Sequence, residues 1–142
     1  HIDDARAGGA AVTIGGRPHA RGGTFVEPTV LTAMTPSMRA ANEETFGPVA
    51  PLFLFTTEEE ALALANGTPF GLAAYFYTEN LRRAWRVAER LECGMVGLNT
   101  GRVSLETAPF GGVKQSGFGR EGSMHGMDEY LQLKAIHFGE ST

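Results

Sequence analysis

The pattern of apolar and polar positions is clearest from the middle of the chain onward. Val49–Phe55 is an apolar run, and Thr57 with Glu60 three residues later forms a capping-box pattern. This pattern predicts a helix that continues through Ala65 and is closed by Gly67. A strand, a short link and a helix are therefore expected over this stretch.

The same order repeats further along the chain. Leu72–Tyr77 is a second apolar run, Thr78 is the expected helix cap, and Met95–Leu98 is a third strand. Between them, five apolar residues at helical spacing predict one buried stripe, namely Leu81, Ala84, Trp85, Ala88 and Leu91. Strand, helix, strand, helix and strand with short links indicate parallel strands joined by right-handed crossovers, and thus an α/β fold.

The two ends of the chain are less regular. A helix is expected over Ile2–Ala10, followed by the strand Ala11–Ile14 and by an interrupted strand, Phe25–Leu31, at an edge. After the third main strand comes a Gly-rich loop, then a short helix Ser123–Tyr130 and a last strand Leu131–Phe138. Because this last strand has backbone groups to pair, it is expected to extend a sheet elsewhere or in another subunit.

Composition narrows the class of function. The 142 residues include 12 Lys and Arg against 16 Asp and Glu, which gives a net charge of −4. Without a basic block or a long apolar run, neither nucleic acid nor a membrane is an expected partner. The single cysteine excludes an internal disulfide and favours a reducing compartment, for which the cytoplasm is the default. His1 in place of Met, and a helix already under way at Ile2, predict a piece of a longer chain.

Some local patterns have both a functional and a structural interpretation. Gly117, Gly119 and Gly122 form a GxGxxG, but no strand leads directly into it, so a packing loop is favoured over a dinucleotide site. Cys93 follows an acidic residue at the carboxyl end of a helix, where the dipole opposes thiolate formation and a packing role is favoured. The four histidines lack metal-ligand spacing, so no metal site is predicted.

Two longer segments carry more chemistry. In NEETFGPV, residues 42–49, two acids and an aromatic precede a Gly-Pro turn, and Phe46 is either a core residue or part of a site. The loop NTGRVSLETAPFGGVKQSG leaves the carboxyl end of Met95–Leu98, where ligands gather in open parallel sheets. In that loop Ser104 offers a hydroxyl and Phe110 an aromatic wall. From the residues alone, function and turn chemistry stay open for both segments.

Together these segments resemble the aldehyde dehydrogenase superfamily. NEETFGPVAP is similar to the family's E-E-x-F-G-P-V segment, and NTGRVSLETAPFGGVKQSGFGREGS to its Asn-to-PFGGxKxSGxGREG loop. ANGTPFGLAAYFYT is similar to its N-x-x-x-[FY]-G-L-x-x-x-[VF]-[FY]-T strand, so the likeness spans essentially the whole chain in one order. NTG, then Ser104, then APFGG and GFGREGS are most similar to the succinate-semialdehyde dehydrogenase branch.

The resemblance implies an activity and an assembly. The activity is oxidation of an aldehyde, succinate semialdehyde in this branch, with NADP or NAD through a cysteine thioester that a glutamate helps to hydrolyse. Both catalytic groups lie upstream of this segment in the family, so no catalytic residue is assigned here. Residues 1–130 would be the later part of an α/β catalytic domain with a parallel sheet flanked by helices. Residues 131–142 would be an oligomerisation strand and tail in a homodimer or homotetramer, packed with the remainder of the same polypeptide.

The resemblance also gives roles to four residues. Glu44 matches the family glutamate that holds the nicotinamide ribose hydroxyls, and Phe46 matches the aromatic beside the ribose and nicotinamide. A carboxylate accepts two hydroxyl hydrogen bonds, which suits a ribose diol. Ser104 matches the serine that bonds the far carboxylate of the substrate, and Phe110 matches an aromatic that lines the aldehyde tunnel.

One position departs from the branch. Arg102 stands where an apolar residue is usual, and its guanidinium either adds a carboxylate contact or points to solvent. Another semialdehyde or an aromatic aldehyde is the alternative substrate, and a non-catalytic binding domain is the alternative class. The residues that meet the adenosine 2′ position lie outside the sequence, so it does not choose between NADP and NAD.

Overall fold

The computed structural model describes residues 1–140, which fall into two compact units. The first unit comprises His1–Pro69, and the second begins at Phe70. Each unit has its own small sheets, so the chain is a mixed α/β structure. The α/β class predicted from the alternating pattern is confirmed at this level.

The first unit is built around a three-stranded sheet. Its elements are α1 (Ile2–Ala7), β1 (Ala11–Ile14), β2 (Thr29–Thr32), a 3₁₀ helix (Arg39–Ala41), β3 (Val49–Pro51) and α2 (Glu58–Asn66). The strand order is β1-β2-β3, with β1 antiparallel and β3 parallel to β2. Thr29 and Leu31 of the central strand β2 alternate with half-buried residues and so share one face of the sheet, which is buried.

The core of the first unit lies where α1 and the segment after β2 meet that sheet. Ala5, Leu31, Met34 and Met38 form one buried cluster, and Phe53 packs partly buried against it. Methionine fills irregular space because its unbranched side chain has three rotatable bonds, which suits a core assembled from short elements. The core therefore fixes the backbone on either side of residues 39–49.

The start of α2 follows the capping-box expectation with one displacement. The Thr57 hydroxyl accepts from the Glu60 backbone N–H at 3.1 Å, as predicted. The Glu60 carboxylate accepts from the Thr56 backbone N–H at 2.8 Å and from the Thr56 hydroxyl at 3.0 Å, one residue before the expected donor. These bonds lower the pKa of the Glu60 carboxyl, the Thr56 backbone donor being the largest cause. The Thr57 hydroxyl and the Glu60 carboxylate thus accept from backbone N–H groups that have no partner within the helix.

The second unit has two separate pairs of strands. Its elements are β4 (Phe70–Gly71), β5 (Ala73–Phe76), α3 (Leu81–Arg90), β6 (Met95–Leu98), β7 (Val113–Lys114) and a 3₁₀ helix (His125–Tyr130). β5 and β6 pair in parallel across the α3 crossover, as the sequence pattern predicts. β4 and β7 pair antiparallel. The expected single parallel sheet is wrong for β3, because β3 pairs with β2 within the first unit.

The buried stripe predicted for α3 is only partly correct. Ala84 is buried and Ala88 is half-buried, whereas Leu81 is 72% and Trp85 66% exposed. The described residues bury Ala84, partly cover Ala88 and Leu91, and leave the two largest exposed members, Leu81 and Trp85, uncovered. Asn80, not Thr78, caps the helix. Asn80 is the residue directly before α3, and its side-chain oxygen accepts from the Arg83 N–H at 2.9 Å.

The predicted carboxyl-terminal elements also differ. The helix expected over Ser123–Tyr130 is a shorter 3₁₀ helix. The strand expected over Leu131–Phe138 is not formed in the single chain, where residues 131–140 are exposed and carry no regular element. A strand requires a hydrogen-bonded neighbour, and the described chain supplies none for this segment. Of the tail 131–142, the last two residues lie outside the described part.

Candidate functional site

The first candidate segment is a tight turn that leads into β3. The Gly47 N–H donates to the Thr45 carbonyl at 2.9 Å, and the Val49 N–H donates to the Gly47 carbonyl at 2.8 Å. The Thr29 N–H of β2 donates to the Pro48 carbonyl at 2.8 Å, which ties the turn to the sheet. Residues 44–46, just before the turn, therefore have a fixed exit at one end.

The residues on either side of Glu44 are held by protein contacts. The Arg39 guanidinium donates to both oxygens of Glu43, at 2.9 and 2.7 Å. The His1 ring lies 3.0 Å from the same carboxylate and 2.6 Å from the Thr45 hydroxyl. The Arg39 bond lowers the pKa of the Glu43 carboxyl, which therefore keeps its negative charge at neutral pH.

Glu44 and Phe46 make no comparable contacts. Within residues 1–140, no hydrogen bond or ion pair involves the Glu44 side chain, which is exposed. The Phe46 ring is 97% exposed, so its interpretation as a core residue is wrong for this chain. The structure thus presents a carboxylate acceptor and an aromatic ring two residues apart. These groups fit a sugar diol and the flat ring attached to it.

The second candidate segment begins where β6 ends. The Asn99 side chain both accepts from the Thr78 N–H and donates to the Thr78 carbonyl, each at 2.8 Å. Asn99 has a φ of 53°, in the left-handed region that asparagine tolerates better than most residues. These two hydrogen bonds fix the direction in which the loop leaves the β5–β6 pair.

The two predicted substrate residues have different surroundings. Ser104 and Arg102 are exposed on the loop, and the Arg102 backbone N–H donates to the Thr100 hydroxyl at 3.1 Å. Phe110 is half-buried and exchanges two backbone hydrogen bonds with Glu121, at 2.8 and 2.7 Å. Phe110 also lines a cavity of about 660 Å³, which Ser104 does not line.

That cavity lies along the Gly-rich loop. Gly117, Gly119 and Gly122 have φ values of 106°, 79° and 65°, which other residues adopt rarely. A Cβ added at Gly111 would collide with the Gly119 carbonyl oxygen. The Arg120 guanidinium also donates to the Gly119 carbonyl, at 2.7 Å. The GxGxxG therefore bends the backbone for close packing, in agreement with the packing interpretation.

Other chemical candidates have structural roles. Burial raises the pKa of the Cys93 thiol, which donates to the Met95 carbonyl at 3.1 Å, so packing is favoured over nucleophilic attack. Among the residues described, no group of three or more His, Cys, Asp or Glu is placed to hold a metal ion. No helix within residues 1–140 has the length and apolar character needed to cross a membrane.

Within each unit, the structure brings two of the predicted residues together. Glu44 and Phe46 share one turn of the first unit, and Ser104 and Phe110 share one loop of the second. Sequence reasoning missed two residues that shape these segments, Arg39 and Asn99. The spacing of four residues between Arg39 and Glu43 could have indicated their ion pair. The hydrogen bond between Asn99 and Thr78 joins residues 21 positions apart, and no local pattern indicates it.

Comparison with known proteins shows that the chain is similar to aldehyde dehydrogenases along almost its whole length. A profile described as the aldehyde dehydrogenase family matches residues 1–136. The chain is 59% identical over 139 residues to a probable succinate-semialdehyde dehydrogenase [NADP(+)] from Sinorhizobium fredii, covering 98% of this chain and 28% of the relative. It is 57% identical over 139 residues to 3-sulfolactaldehyde dehydrogenase from Pseudomonas putida, covering 98% and 29%.

Solved structures give the same picture. Succinate-semialdehyde dehydrogenase from Burkholderia pseudomallei superposes with a TM-score of 0.89 at 63% identity, over 92% of this chain and 27% of that one. Betaine aldehyde dehydrogenase from Staphylococcus aureus in complex with NAD⁺ superposes with a TM-score of 0.85 at 43% identity, over 92% and 27%. The chain thus spans less than a third of the length of the proteins that it matches.

Proposed function

The chain belongs to the aldehyde dehydrogenase family, and from that premise we propose that it is part of an NAD(P)-dependent enzyme that oxidises succinate semialdehyde to succinate. The observation that carries the proposal is the 59% identity to a succinate-semialdehyde dehydrogenase across 98% of the chain. The rest of the proposed enzyme includes the nucleophilic cysteine and the general-base glutamate. Its proposed α/β catalytic domain contains residues 1–130, and residues 131–142 supply an oligomerisation strand and tail.

On the cofactor side, we assign binding to Glu44 and Phe46. The cofactor supplies a nicotinamide ring that accepts hydride. The Glu44 carboxylate, which has no partner among residues 1–140, accepts hydrogen bonds from the two ribose hydroxyls. The exposed Phe46 ring packs beside the ribose and nicotinamide and excludes water from that face. Relatives bind either form, since one is named for NADP(+) and another is solved with NAD⁺.

On the substrate side, we assign Ser104 and Phe110. Succinate semialdehyde carries a carboxylate and 3-sulfolactaldehyde a sulfonate at the end remote from the aldehyde, so relatives of both names handle an anionic end. The exposed Ser104 hydroxyl can donate to such an anion. Phe110, which lines a cavity that Ser104 does not line, would form an apolar wall of the aldehyde tunnel. For Arg102, which is exposed two residues before Ser104, we propose the solvent interpretation.

The substrate assignment is tested with Ser104→Ala in the full-length protein. Succinate semialdehyde is compared with butanal, which has the same number of carbons but no charge. A hydrogen bond to a charged group is worth about 1.5–3 kcal/mol, so kcat/KM for succinate semialdehyde should fall about tenfold or more. The value for butanal should be unchanged. An equal loss with both aldehydes would remove Ser104 from the carboxylate site.

A wider panel distinguishes the rival substrates. Glutarate semialdehyde, 3-sulfolactaldehyde and benzaldehyde replace succinate semialdehyde in turn, and the highest kcat/KM identifies the substrate class. Absence of NAD(P) reduction with every aldehyde would favour a non-catalytic binding domain. The homodimer or homotetramer and the cytoplasmic location are parts of the proposal too. They are checked by sedimentation and by fractionation of cells.

A further inference from the structure

We propose that Arg39 is a positioning residue for cofactor binding, because its ion pair with Glu43 holds the segment that presents Glu44 and Phe46. This inference rests on the proposed function, which assigns those two residues to the cofactor. Arg39 itself touches neither of them through any bond described in the structure. Its effect is therefore transmitted through the backbone of residues 43–46.

The ion pair is bidentate and joins the 3₁₀ helix to the bend that follows it. Arg39 Nε lies 2.9 Å from Glu43 Oε1, and Arg39 Nη2 lies 2.7 Å from Glu43 Oε2. Two parallel bonds fix the orientation of the carboxylate as well as its distance. The Arg39 backbone N–H also donates to the Asp4 carboxylate at 2.8 Å, which ties this residue to α1. Arg39 thus connects the segment before the turn to a helix that packs on the core.

The contacts alternate along the segment. Glu43 and Thr45 both contact the His1 ring, at 3.0 and 2.6 Å, whereas Glu44 and Phe46 are exposed. The His1 ring thus holds residues 43 and 45, and the side chains between and after them, Glu44 and Phe46, remain open to a ligand. A binding segment that is ordered in advance loses less conformational entropy when its ligand binds.

Because the Arg39–Glu43 ion pair is exposed, a positioning role can be distinguished from a role in folding stability. Both Arg39 and Glu43 are about half exposed, and exposed ion pairs contribute little to folding. Removal of the guanidinium should therefore leave the melting temperature nearly unchanged while the segment loses its fixed geometry. A role in folding alone predicts the opposite, a lower melting temperature with unchanged cofactor affinity.

The experiment uses the full-length protein and titrates NADPH and NADH separately by fluorescence. Arg39→Gln should raise the cofactor Kd about three- to fivefold, the range that an ion pair of this kind supports. Arg39→Lys keeps the charge and should recover part of the affinity. Arg82→Gln removes another exposed arginine, on α3, and serves as the matched control with wild-type affinity. The KM for the aldehyde and the melting temperature should stay at wild-type values throughout.

Glu44→Gln separates failure of this proposal from failure of the proposed function. If Glu44→Gln weakens cofactor binding and Arg39→Gln does not, the positioning role is overturned and the cofactor site stands. If neither variant changes the Kd, the cofactor assignment of Glu44 is overturned together with the positioning role. A loss in Arg39→Gln that accompanies a lower melting temperature and is not recovered by Arg39→Lys also overturns it.

Discussion

The two units of the chain are stabilised in different ways. The first surrounds its sheet with a buried cluster that includes Leu31 and Met38. Among the described residues of the second, the buried apolar side chains are Ala84 and Met95, while Trp85 and other large side chains are exposed. The first unit thus has a side-chain core of its own. The second depends on close backbone packing and exposes many of its large apolar side chains.

The same difference appears in how each unit presents its candidate site. In the first unit, the Arg39 guanidinium, four residues away, and the His1 ring, 42 residues away, hold Glu43 next to Glu44. In the second, the amide of Asn99 and the absence of side chains at glycines such as Gly94 and Gly111 shape the loop that carries Ser104. Side-chain truncation should therefore damage the first unit most, and side-chain addition the second.

Leu31→Ala should give the largest effect. Leu31 is fully buried in the central strand of the first unit, so truncation loses apolar burial and leaves a cavity. The expected cost is about 3 kcal/mol, measured as a lower melting temperature or denaturant midpoint of the full-length protein. Leu54→Ala, at an 87% exposed position of the same unit, is the matched control for loss of the same atoms. A Leu31→Ala protein as stable as wild type would contradict a side-chain core in this unit.

Gly94→Ala tests close backbone packing in the second unit. A Cβ at Gly94 would overlap the Gly111 carbonyl oxygen, whereas a Cβ at Gly101 would meet nothing within 4 Å. Forcing backbone segments apart should cost about 2–3 kcal/mol in thermal unfolding, and Gly101→Ala should cost about 0.5 kcal/mol or less. Equal melting temperatures for the two alanine variants would show that the loop does not approach Gly94.

The fold was predictable where local signals decide it. The strands Ala11–Ile14 and Met95–Leu98 have the predicted bounds, and α2 begins at its predicted cap, Thr57. Each depends on residues within a few positions of one another. The pairing of β3 with β2 was not predictable in this way, because the choice of neighbour depends on contacts about 20 residues away.

The candidate site follows the same rule. Glu44 and Phe46 lie in a motif that is contiguous in sequence, and so does Ser104, which made all three visible. Their assigned functions stay predictions. The contacts around them were hidden, since the His1 bond to Glu43 crosses 42 positions. The exposure of Trp85 was also hidden, because a periodic stripe indicates which residues share a face but not what covers that face.

The helix caps offer a smaller test, one in each unit. Thr57→Ala removes the acceptor for the Glu60 N–H at the start of α2, and Asn80→Ala removes the acceptor for the Arg83 N–H at the start of α3. Each should cost about 1 kcal/mol in thermal unfolding. Thr57→Ser and Asn80→Asp keep an acceptor and should restore stability. A full loss in Asn80→Asp would contradict the assigned cap of α3.

The smallest expected effect concerns acid, and it distinguishes the two caps further. The Thr56 N–H lowers the folded-state pKa of Glu60, so the carboxylate stabilises the fold above its unfolded pKa of about 4.3. This contribution is lost as pH falls through the lower folded value, since protonation removes the charged acceptor. The melting temperature of Glu60→Gln should therefore lie slightly below that of the wild type at pH 7, and the difference should shrink as the pH falls below about 4.3. Asn80 carries no charge, so the loss of melting temperature in Asn80→Ala should be similar at pH 7 and in acid. If the lower melting temperature of Glu60→Gln persisted unchanged in acid, the charge of Glu60 would not be its cause. Both α2 and α3 would then begin with hydrogen bonds to uncharged acceptors only.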